Sequence, residues 1–317
     1  MRVVWVSFAP LRKTPAGLTS DLASVRYRVT LPAAAVAGSK VTQIVPGTNR
    51  RTLLERFAGA DVVVFGKLFD PSLAEPVLEI IAALRGRGVK VIVDYSDDNF
   101  AHPVVGPVYR ALANAADLLV ASTEGLAGVL RAEAAVPVRV VTDPVEGRRG
   151  EPRAEARQPV RLLWFGHPLN LDTLKLGLPQ IRAPFELTLV TAPGAGAEPM
   201  GQRFRAWSAQ TVFEELRECD AVIIPSDPHN PRKIVKSPNR FTESVWAGRF
   251  VVAHPLPSYE PLAPYGWVGD DLGEGLAWLR ENPQAAARRV RAGQRAVEEH
   301  FSPQAVGRAW QAAIAGV

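Results

Sequence analysis

Residues 233–253 read KIVKSPNRFTESVWAGRFVVA, and this stretch says the most about the fold. The apolar run Ala221–Pro225, shortly before it, predicts a buried strand followed by a loop over 226–236. Ser237 is a candidate helix N-cap, and Pro238 suits the first helical position, where no backbone donor is needed. The sequence therefore predicts a helix that starts near 238.

The same stretch predicts where that helix ends. Phe241 and Val245 lie one turn apart, so they share its buried face. Gly248 suits a left-handed C-terminal cap, and Phe250–Ala253 reads as the next strand. Strand, loop, helix and strand in this order form a unit of a parallel sheet.

The predicted helix start is a candidate anion site. Its N–H groups and dipole favour a phosphate, and Lys233, Lys236 and Arg240 add positive charge at the same end. Glu243 follows Arg240 by three residues and faces the same way. Cations beside one carboxylate suit a sugar nucleotide, which has a diphosphate and vicinal ribose hydroxyls. A capped surface helix, with an Arg240–Glu243 pair worth about 0.3–0.5 kcal/mol, is the alternative.

Length and composition predict a globular protein of two domains. The 317 residues exceed one typical domain, and 47% of them are apolar. Cys219 is the only cysteine, which excludes a disulfide framework and a cysteine metal site. The sequence shows no signal-peptide core and no apolar run of about 20 residues, so we expect a cytoplasmic protein.

The net charge of +5 permits attraction to phosphate, anionic lipid or nucleic acid. Basic residues cluster at Arg288, Arg289, Arg291 and Arg295, a pattern typical of a solvated helix face. No basic patch is interleaved with aromatic residues, so we predict no nucleic-acid partner. Peripheral contact with the inner face of a membrane is a further hypothesis.

Strands alternate with helices through both halves of the chain, which predicts an α/β protein with two doubly wound, parallel sheets. Residues 145–159 are polar and rich in helix breakers, as expected of a linker. We predict a first domain over 1–150, a second over 159–300, and an amphipathic helix over 301–317 that crosses back onto the first.

This layout resembles the GT-B fold of glycosyltransferases, in which two Rossmann-like domains face each other across a cleft. Ser237-Pro238-Asn239-Arg240, Glu243 and Ala247–Ala253 resemble the SPNK…E…AG.PVVA segment of bacterial members related to the large retaining GT-B family. The likeness covers about 205–262, since Cys219–Pro225 is similar to the strand that precedes this segment. Weaker likenesses in the first half lie at Lys67, Val91–Asp98 and Asp143–Glu146.

The resemblance implies that the second domain binds a nucleotide-sugar donor such as a UDP or GDP sugar. Glu243 would bind the donor ribose, while Arg240 and Lys236 would act as catalytic residues that stabilise the departing diphosphate. The other expected donor contacts are Ser237, Asn239, Gly166, His167 and Trp207.

Two positions depart from the family pattern. Val235 stands where the family often has a glutamate that contacts the transferred sugar. The loop that begins Gly166-His167 lacks the Arg and Lys pair of many members, and Lys175 lies further on.

The acceptor, a saccharide or a glycolipid, is expected at the first domain. His102 is a candidate catalytic acid or base, with a loop histidine bonded to its neighbours as the alternative. The other residues expected on the acceptor or sugar side are Lys67, Asp97, Asp98, Arg26, His254 and Glu260. Carboxylates at Asp94, Asp97 and Asp98 also suit a divalent cation, but the resemblance implies no metal and no cofactor besides the nucleotide sugar.

The resulting expectation is a retaining glycosyltransferase of bacterial polysaccharide biosynthesis. Two alternatives stay open, namely a nucleotide-sugar epimerase of GT-B architecture and a catalytically silent nucleotide-sugar-binding subunit of a glycan-assembly complex. No Gly-x-Gly-x-x-Gly follows a predicted strand, and neither a Gly-x-Ser-x-Gly elbow nor a P-loop occurs. These absences argue against dinucleotide enzymes, hydrolases and NTPases.

Overall fold

The structure, a computed structural model, describes residues 1–15, 17–155, 157–194, 200–201 and 203–317. The chain divides into two compact units. Unit 1 comprises Met1–Pro144, Val235–Ser237 and Ser302–Val317, and unit 2 comprises Val145–Ile234 and Pro238–Phe301. Residue 156, in the predicted linker, lies outside the described residues.

Unit 1 is built on a parallel sheet. Its described strands are β1 Val3–Ser7, β2 Arg12–Thr14, β3 Gly17–Thr19, β4 Ser39–Gln43, β5 Val62–Phe65, β6 Lys90–Tyr95, β7 Leu118–Ala121 and β8 Val138–Val140. The sheet order is β4-β1-β5-β6-β7-β8, while β2 and β3 form a separate antiparallel hairpin. The central strands are continuous apolar runs because helices cover both faces of a parallel sheet.

The helices of unit 1 vary in length, and the longer ones carry one apolar face each. In chain order they are α1 Ala23–Val25, a π-helical turn Arg26–Thr30, α2 Leu31–Ala35, α3 Arg50–Arg56, α4 Ala74–Arg85, α5 Val105–Ala115 and α6 Glu124–Glu133. In α4 the buried residues Val77, Ile80, Ile81 and Leu84 recur at helical spacing, so this helix packs by one stripe.

Unit 2 repeats the architecture with a second parallel sheet of order β11-β10-β9-β12-β13-β14. Its strands are β9 Val160–Phe165, β10 Phe185–Thr191, β11 Arg203–Ala206, β12 Ala221–Ile224, β13 Phe250–Ala253 and β14 Trp267–Val268. Its helices are α7 Leu171–Gly177, α8 Ala209–Glu218, α9 Pro231–Ile234, α10 Asn239–Trp246, α11 Leu272–Glu281 and α12 Pro283–Phe301. The prediction of two α/β units with parallel sheets is confirmed.

The last helix, α13 Pro303–Ala315, belongs to unit 1. Ser302 caps it, because its hydroxyl oxygen accepts a hydrogen bond from the backbone N–H of Ala305 at 3.2 Å. Trp310 then packs edge-on against Trp5 of β1, with 4.8 Å between ring centroids. The predicted return of the C-terminal helix to the first unit is confirmed.

Gly248 ends α10 in the left-handed region, at φ +81°, which confirms the predicted cap. The neighbouring segment of unit 2 also requires a glycine there, since an added Cβ would lie 2.3 Å from the carbonyl oxygen of Glu151. Gly150 N–H donates to the Trp246 carbonyl at 3.0 Å, and Arg153 N–H donates to that of Gly248 at 3.2 Å. This part of the predicted linker is therefore packed onto unit 2.

Several elements differ from the prediction. The Pro- and Gly-rich segment over 9–19, which reads as a loop, contains the β2–β3 hairpin. Helix α3 is short and polar, so it has little apolar periodicity, although its N-cap Asn49 is a local signal for it. Both elements depend on local hydrogen bonds rather than on a buried stripe.

Candidate functional site

Helix α10 begins differently from the prediction. Its N-cap position is Pro238, and no side chain in the described part of the chain caps it. The predicted capping role of Ser237 is wrong, because the Ser237 hydroxyl donates to Asp143 Oδ2 at 2.6 Å within unit 1. The first turn of α10 therefore keeps the dipole and backbone donors that attract an anion.

Arg240 brings positive charge to this helix start. Its Nη1 is buried and has no hydrogen-bond partner among the described residues. The Arg240 guanidinium group does hydrogen bond the hydroxyl of Tyr259, a buried residue. Burial raises the pKa of Tyr259, and the positive charge of Arg240 opposes that rise. Gly166, at the end of β9, faces the same group, since an added Cβ would lie 3.6 Å from Arg240 Nη1. The structure thus brings the predicted residues Arg240 and Gly166 together.

Further polar atoms without partners lie at the carboxyl edge of the unit 2 sheet. Thr191 Oγ1 ends β10, Ser258 Oγ lies in the loop after β13, and both are buried without a hydrogen-bond partner in the described residues. Such groups are costly unless something satisfies them. Together with Arg240 Nη1 they indicate that this edge is shaped for a polar ligand.

Asn239 begins α10, and Glu243 lies one helical turn further along it. Glu243 is buried and Asn239 is half-buried. A buried carboxylate one turn from the helix start is placed to accept hydrogen bonds from hydroxyl groups near the same end.

The remaining predicted donor residues are more peripheral. His167 is exposed, and its Nδ1 accepts a hydrogen bond from Leu169 N–H at 3.2 Å. The Lys233 ammonium group donates a hydrogen bond to Asn170, which lies in the same segment as His167. Trp207 follows β11, is half-buried and packs against the unit 2 core.

His254 and Glu260, predicted on the sugar side, follow β13. His254 is buried, with Nδ1 2.9 Å from the Ser226 carbonyl oxygen and Nε2 3.0 Å from Gln180 Oε1. Both ring nitrogens thus connect neighbouring loops of the edge. Glu260 is exposed and begins a 3-10 helix that runs to Tyr265.

In unit 1, the predicted residues Lys67, Asp97 and Lys236 form one cluster. Asp97 accepts hydrogen bonds from both ammonium groups, Lys67 through Oδ2 and Lys236 through Oδ1. Burial opposes ionisation of Asp97, but the two cations outweigh it and lower its pKa to about 2. The cluster has two positive charges and one negative charge.

The segment Val235–Ser237 is tied to unit 1 at each of its residues. The Thr123 hydroxyl donates to the Val235 carbonyl at 2.8 Å, Lys236 pairs with Asp97, and Ser237 bonds Asp143. The Val235 side chain is buried. At the position where the resemblance expects a sugar-binding glutamate, unit 1 therefore has a packed apolar side chain.

The side chains of His102 and Asp98 both accept hydrogen bonds from backbone N–H groups in the loop after β6. His102 Nδ1 accepts hydrogen bonds from the N–H groups of Val104 and Val105, each at 3.2 Å. Asp98 Oδ1 accepts one from Phe100 N–H at 3.1 Å. These bonds orient the loop at the start of α5.

Arg26 and Arg28 lie in the π-helical turn of unit 1, and both are buried. Arg26 Nη1 donates to the carbonyls of Ser20 and Asp21, each at 3.1 Å. Arg28 forms two hydrogen bonds with Asp94, at 2.9 and 2.5 Å, and one with Asp143 at 2.8 Å. Burial opposes the charge on Arg28, but the two carboxylates outweigh it and raise its pKa.

Sequence reasoning missed this Arg28–Asp94–Asp143 cluster. The one available signal is Asp94 within the apolar run of β6, where an unpaired charge would be costly. No group of three or more His, Cys, Asp or Glu side chains that could hold a metal ion occurs in the described ranges. Of the aspartates considered for a cation, Asp94 and Asp97 instead pair with basic side chains.

Comparisons with known proteins agree with this architecture. No protein-family model matches the sequence, and no curated protein matches it. HepE from Anabaena, in complex with UDP, is a structural match with a TM-score of 0.73 over all of both chains, at 10% identity. Sucrose-phosphate synthase from Thermosynechococcus elongatus matches with a TM-score of 0.68 over all of both chains, at 14% identity.

A trehalose-6-phosphate synthase, solved in work on enzymatic glycosyltransfer with retention, matches with a TM-score of 0.59 and 13% identity. It covers 84% of this chain and 76% of its own. This chain therefore has the GT-B fold that its motifs predict. No helix among the described residues is long and apolar enough to span a membrane.

Proposed function

We propose that the protein is a glycosyltransferase that uses a nucleotide diphosphate sugar as donor. One observation carries this proposal: Arg240 Nη1 lies buried without a partner in the described residues, at the start of α10. A diphosphate supplies the anionic oxygens that this guanidinium and the helix N-terminus would bind. The fold supports the proposal, because HepE has been solved with UDP and with UDP-glucose.

The other residues of the edge take roles that follow from their chemistry. Glu243 is proposed to accept hydrogen bonds from the ribose hydroxyls. Gly166, which has no side chain, leaves room for the phosphates to approach Arg240. Asn239, His167 and Trp207 are proposed further contacts of the nucleotide. UDP is the favoured nucleotide, in line with the HepE complexes.

Arg240 is proposed as the cation that stabilises the departing diphosphate. Stabilisation of a leaving diphosphate by fixed cations lowers the barrier because charge grows on that group in the transition state. Retention of anomeric configuration is part of the proposal, in line with the trehalose-6-phosphate synthase match.

Calorimetric titration with UDP and GDP tests the donor site. Arg240→Ala removes a charge-assisted hydrogen bond, so it should weaken binding by about 10- to 100-fold. Glu243→Ala should weaken UDP binding by a similar factor, but leave inorganic pyrophosphate binding unchanged, because Glu243 contacts the ribose.

Two variants of exposed residues in unit 2 are matched controls. Arg288→Ala and Glu274→Ala make the same charge changes away from the edge, and they should bind UDP as the wild type does. The proposal is wrong if wild type binds neither nucleotide, or if Arg240→Ala and Glu243→Ala bind like their controls.

The buried Val235 favours a second candidate, a nucleotide-sugar-binding subunit without catalytic activity. Valine cannot hydrogen bond the transferred sugar as a glutamate would. Donor turnover by the isolated chain would exclude this candidate. Conversion of the donor in the absence of an acceptor would instead support the epimerase alternative.

A further inference from the structure

Tyr259 lies against the helix that carries Arg240. It is 2% exposed, and its ring packs on that of Phe241, the residue after Arg240 in α10, with 5.6 Å between the ring centroids. The Tyr259 backbone is fixed as well, since its N–H donates to the Leu256 carbonyl at 2.8 Å and its carbonyl accepts from Leu262 N–H at 2.9 Å. Close packing therefore holds the ring, and with it the hydroxyl group, in one place beside α10.

The Tyr259 hydroxyl has two hydrogen-bond partners, the Arg240 guanidinium group and the Ser226 side chain. Arginine can only donate, so the hydroxyl oxygen accepts from Arg240, and its own hydrogen stays available for Ser226. Arg240 Nη1 is buried and has no hydrogen-bond partner in the described part of the chain. One part of the guanidinium is thus held by Tyr259, while Nη1 is left for another acceptor.

Ser226, which follows β12, is itself held by His254, which follows β13. Ser226 N–H donates to His254 Nδ1 at 3.1 Å. In the tautomer that this bond requires, Nε2 carries the proton and donates to Gln180 Oε1 at 3.0 Å. Gln180 Oε1 also accepts from Leu272 N–H at 3.0 Å. The network that ends on Arg240 is therefore anchored in several segments of unit 2, and its bonds form without any ligand.

We propose that Tyr259 is a positioning residue for Arg240. Its hydroxyl fixes the direction of the guanidinium, so that Nη1 stays available to a phosphate oxygen of the donor. An unrestrained arginine side chain has many rotamers, and the loss of that freedom opposes anion binding. Tyr259 restricts these rotamers before the ligand binds. The inference rests on the proposed function, because it assigns the orientation of the residue that carries that proposal.

Nitrogen-15 NMR of the full chain, labelled at arginine, tests the orientation of Arg240 in the absence of ligand. A guanidinium held by a hydrogen bond rotates slowly about its Nε–Cζ bond and gives separate Nη signals. We expect such signals for Arg240, identified by their absence in Arg240→Ala, and we expect Tyr259→Phe to merge or lose them. Phenylalanine keeps the ring that packs on Phe241, so the variant should fold, and circular dichroism verifies this.

Calorimetric titration with UDP measures what this orientation contributes to binding. Loss of one hydrogen bond to a charged group should weaken UDP binding by about 3- to 30-fold in Tyr259→Phe. In an Arg240→Ala background the same substitution should have no further effect, because the hydroxyl acts only through Arg240. Additive losses would overturn the inference, since Tyr259 would then affect binding independently of Arg240.

Tyr265→Phe is the matched control. Tyr265 ends the 3-10 helix that starts directly after Tyr259, is half-buried and packs against Gly293 of α12. Loss of its hydroxyl should leave the Arg240 signals and UDP binding unchanged. The inference is also overturned if Tyr259→Phe keeps the Arg240 signals of the wild type, or if the control has the same effect.

The two measurements separate this inference from the proposed function. Absence of UDP binding by the wild type would remove the proposed function. The NMR comparison of wild type, Tyr259→Phe and Tyr265→Phe would still decide whether Tyr259 orients Arg240.

Discussion

The buried Arg28 cluster leads to a sharp stability prediction. Arg28→Met keeps the length of the side chain but removes its charge and four hydrogen bonds, to Asp94 twice, to Asp143 and to the Val141 carbonyl. The variant leaves two buried carboxylates without a cation. Removal of one partner from a buried ion pair costs about 3–5 kcal/mol, so we expect unit 1 to lose about that much stability.

Differential scanning calorimetry of the full chain can measure this loss, with urea unfolding as a second probe. Arg110→Met is the matched control, because Arg110 also pairs with a carboxylate in unit 1, Glu133, but its side chain is 44% exposed. Exposed pairs contribute about 0–1 kcal/mol. The reasoning is refuted if Arg28→Met costs no more than Arg110→Met.

The pH dependence separates charge from packing in this prediction. Burial raises the pKa of Asp94, and without Arg28 nothing opposes that rise, so the folded variant binds more protons than its unfolded state. Stability of the variant relative to the wild type should therefore improve as the pH falls from 7 towards 4. A deficit that does not change with pH would identify lost packing, rather than unpaired charge, as its cause.

Three further predictions concern Asp97, Gly248 and Gly128. The pKa of Asp97 is lowered to about 2, so its ionisation stabilises the fold above pH ~4, and this contribution is lost as the pH falls towards 2. Asp97→Asn should therefore lower the free energy of unfolding by about 2 kcal/mol at pH 6 and by little at pH 2. Urea unfolding at the two pH values measures this difference. Gly248→Ala should destabilise unit 2 by at least about 1 kcal/mol, because φ is +81° and the new Cβ would meet Glu151 O. Gly128→Ala, in the middle of α6 with no atom near the new Cβ, should instead stabilise by about 0.5–1 kcal/mol in the same thermal unfolding assay.

Sequence patterns were sufficient for most of the fold. A continuous apolar run predicted β13 with the bounds that the structure has, because a strand buried on both faces needs an unbroken hydrophobic segment. Gly248 was predictable as a cap because few other residues adopt a left-handed conformation.

The candidate site was only partly predictable. Motif and resemblance singled out Arg240, Glu243 and Gly166, and the structure places Arg240 beside Gly166 at the carboxyl edge of unit 2. They did not predict that Ser237 would bond Asp143 instead of capping α10. The competing acceptor is 94 residues away in the chain, so no local pattern could reveal it.

Local sequence was enough to specify which segments form strands and helices, since backbone hydrogen bonding and burial repeat at short, regular spacings. Which charges meet depends instead on tertiary packing. Arg28 finds Asp94 and Asp143 across 66 and 115 residues, and Lys236 finds Asp97 across 139. Such pairs require distant elements to pack together, and their energies depend on burial, which only the folded chain creates.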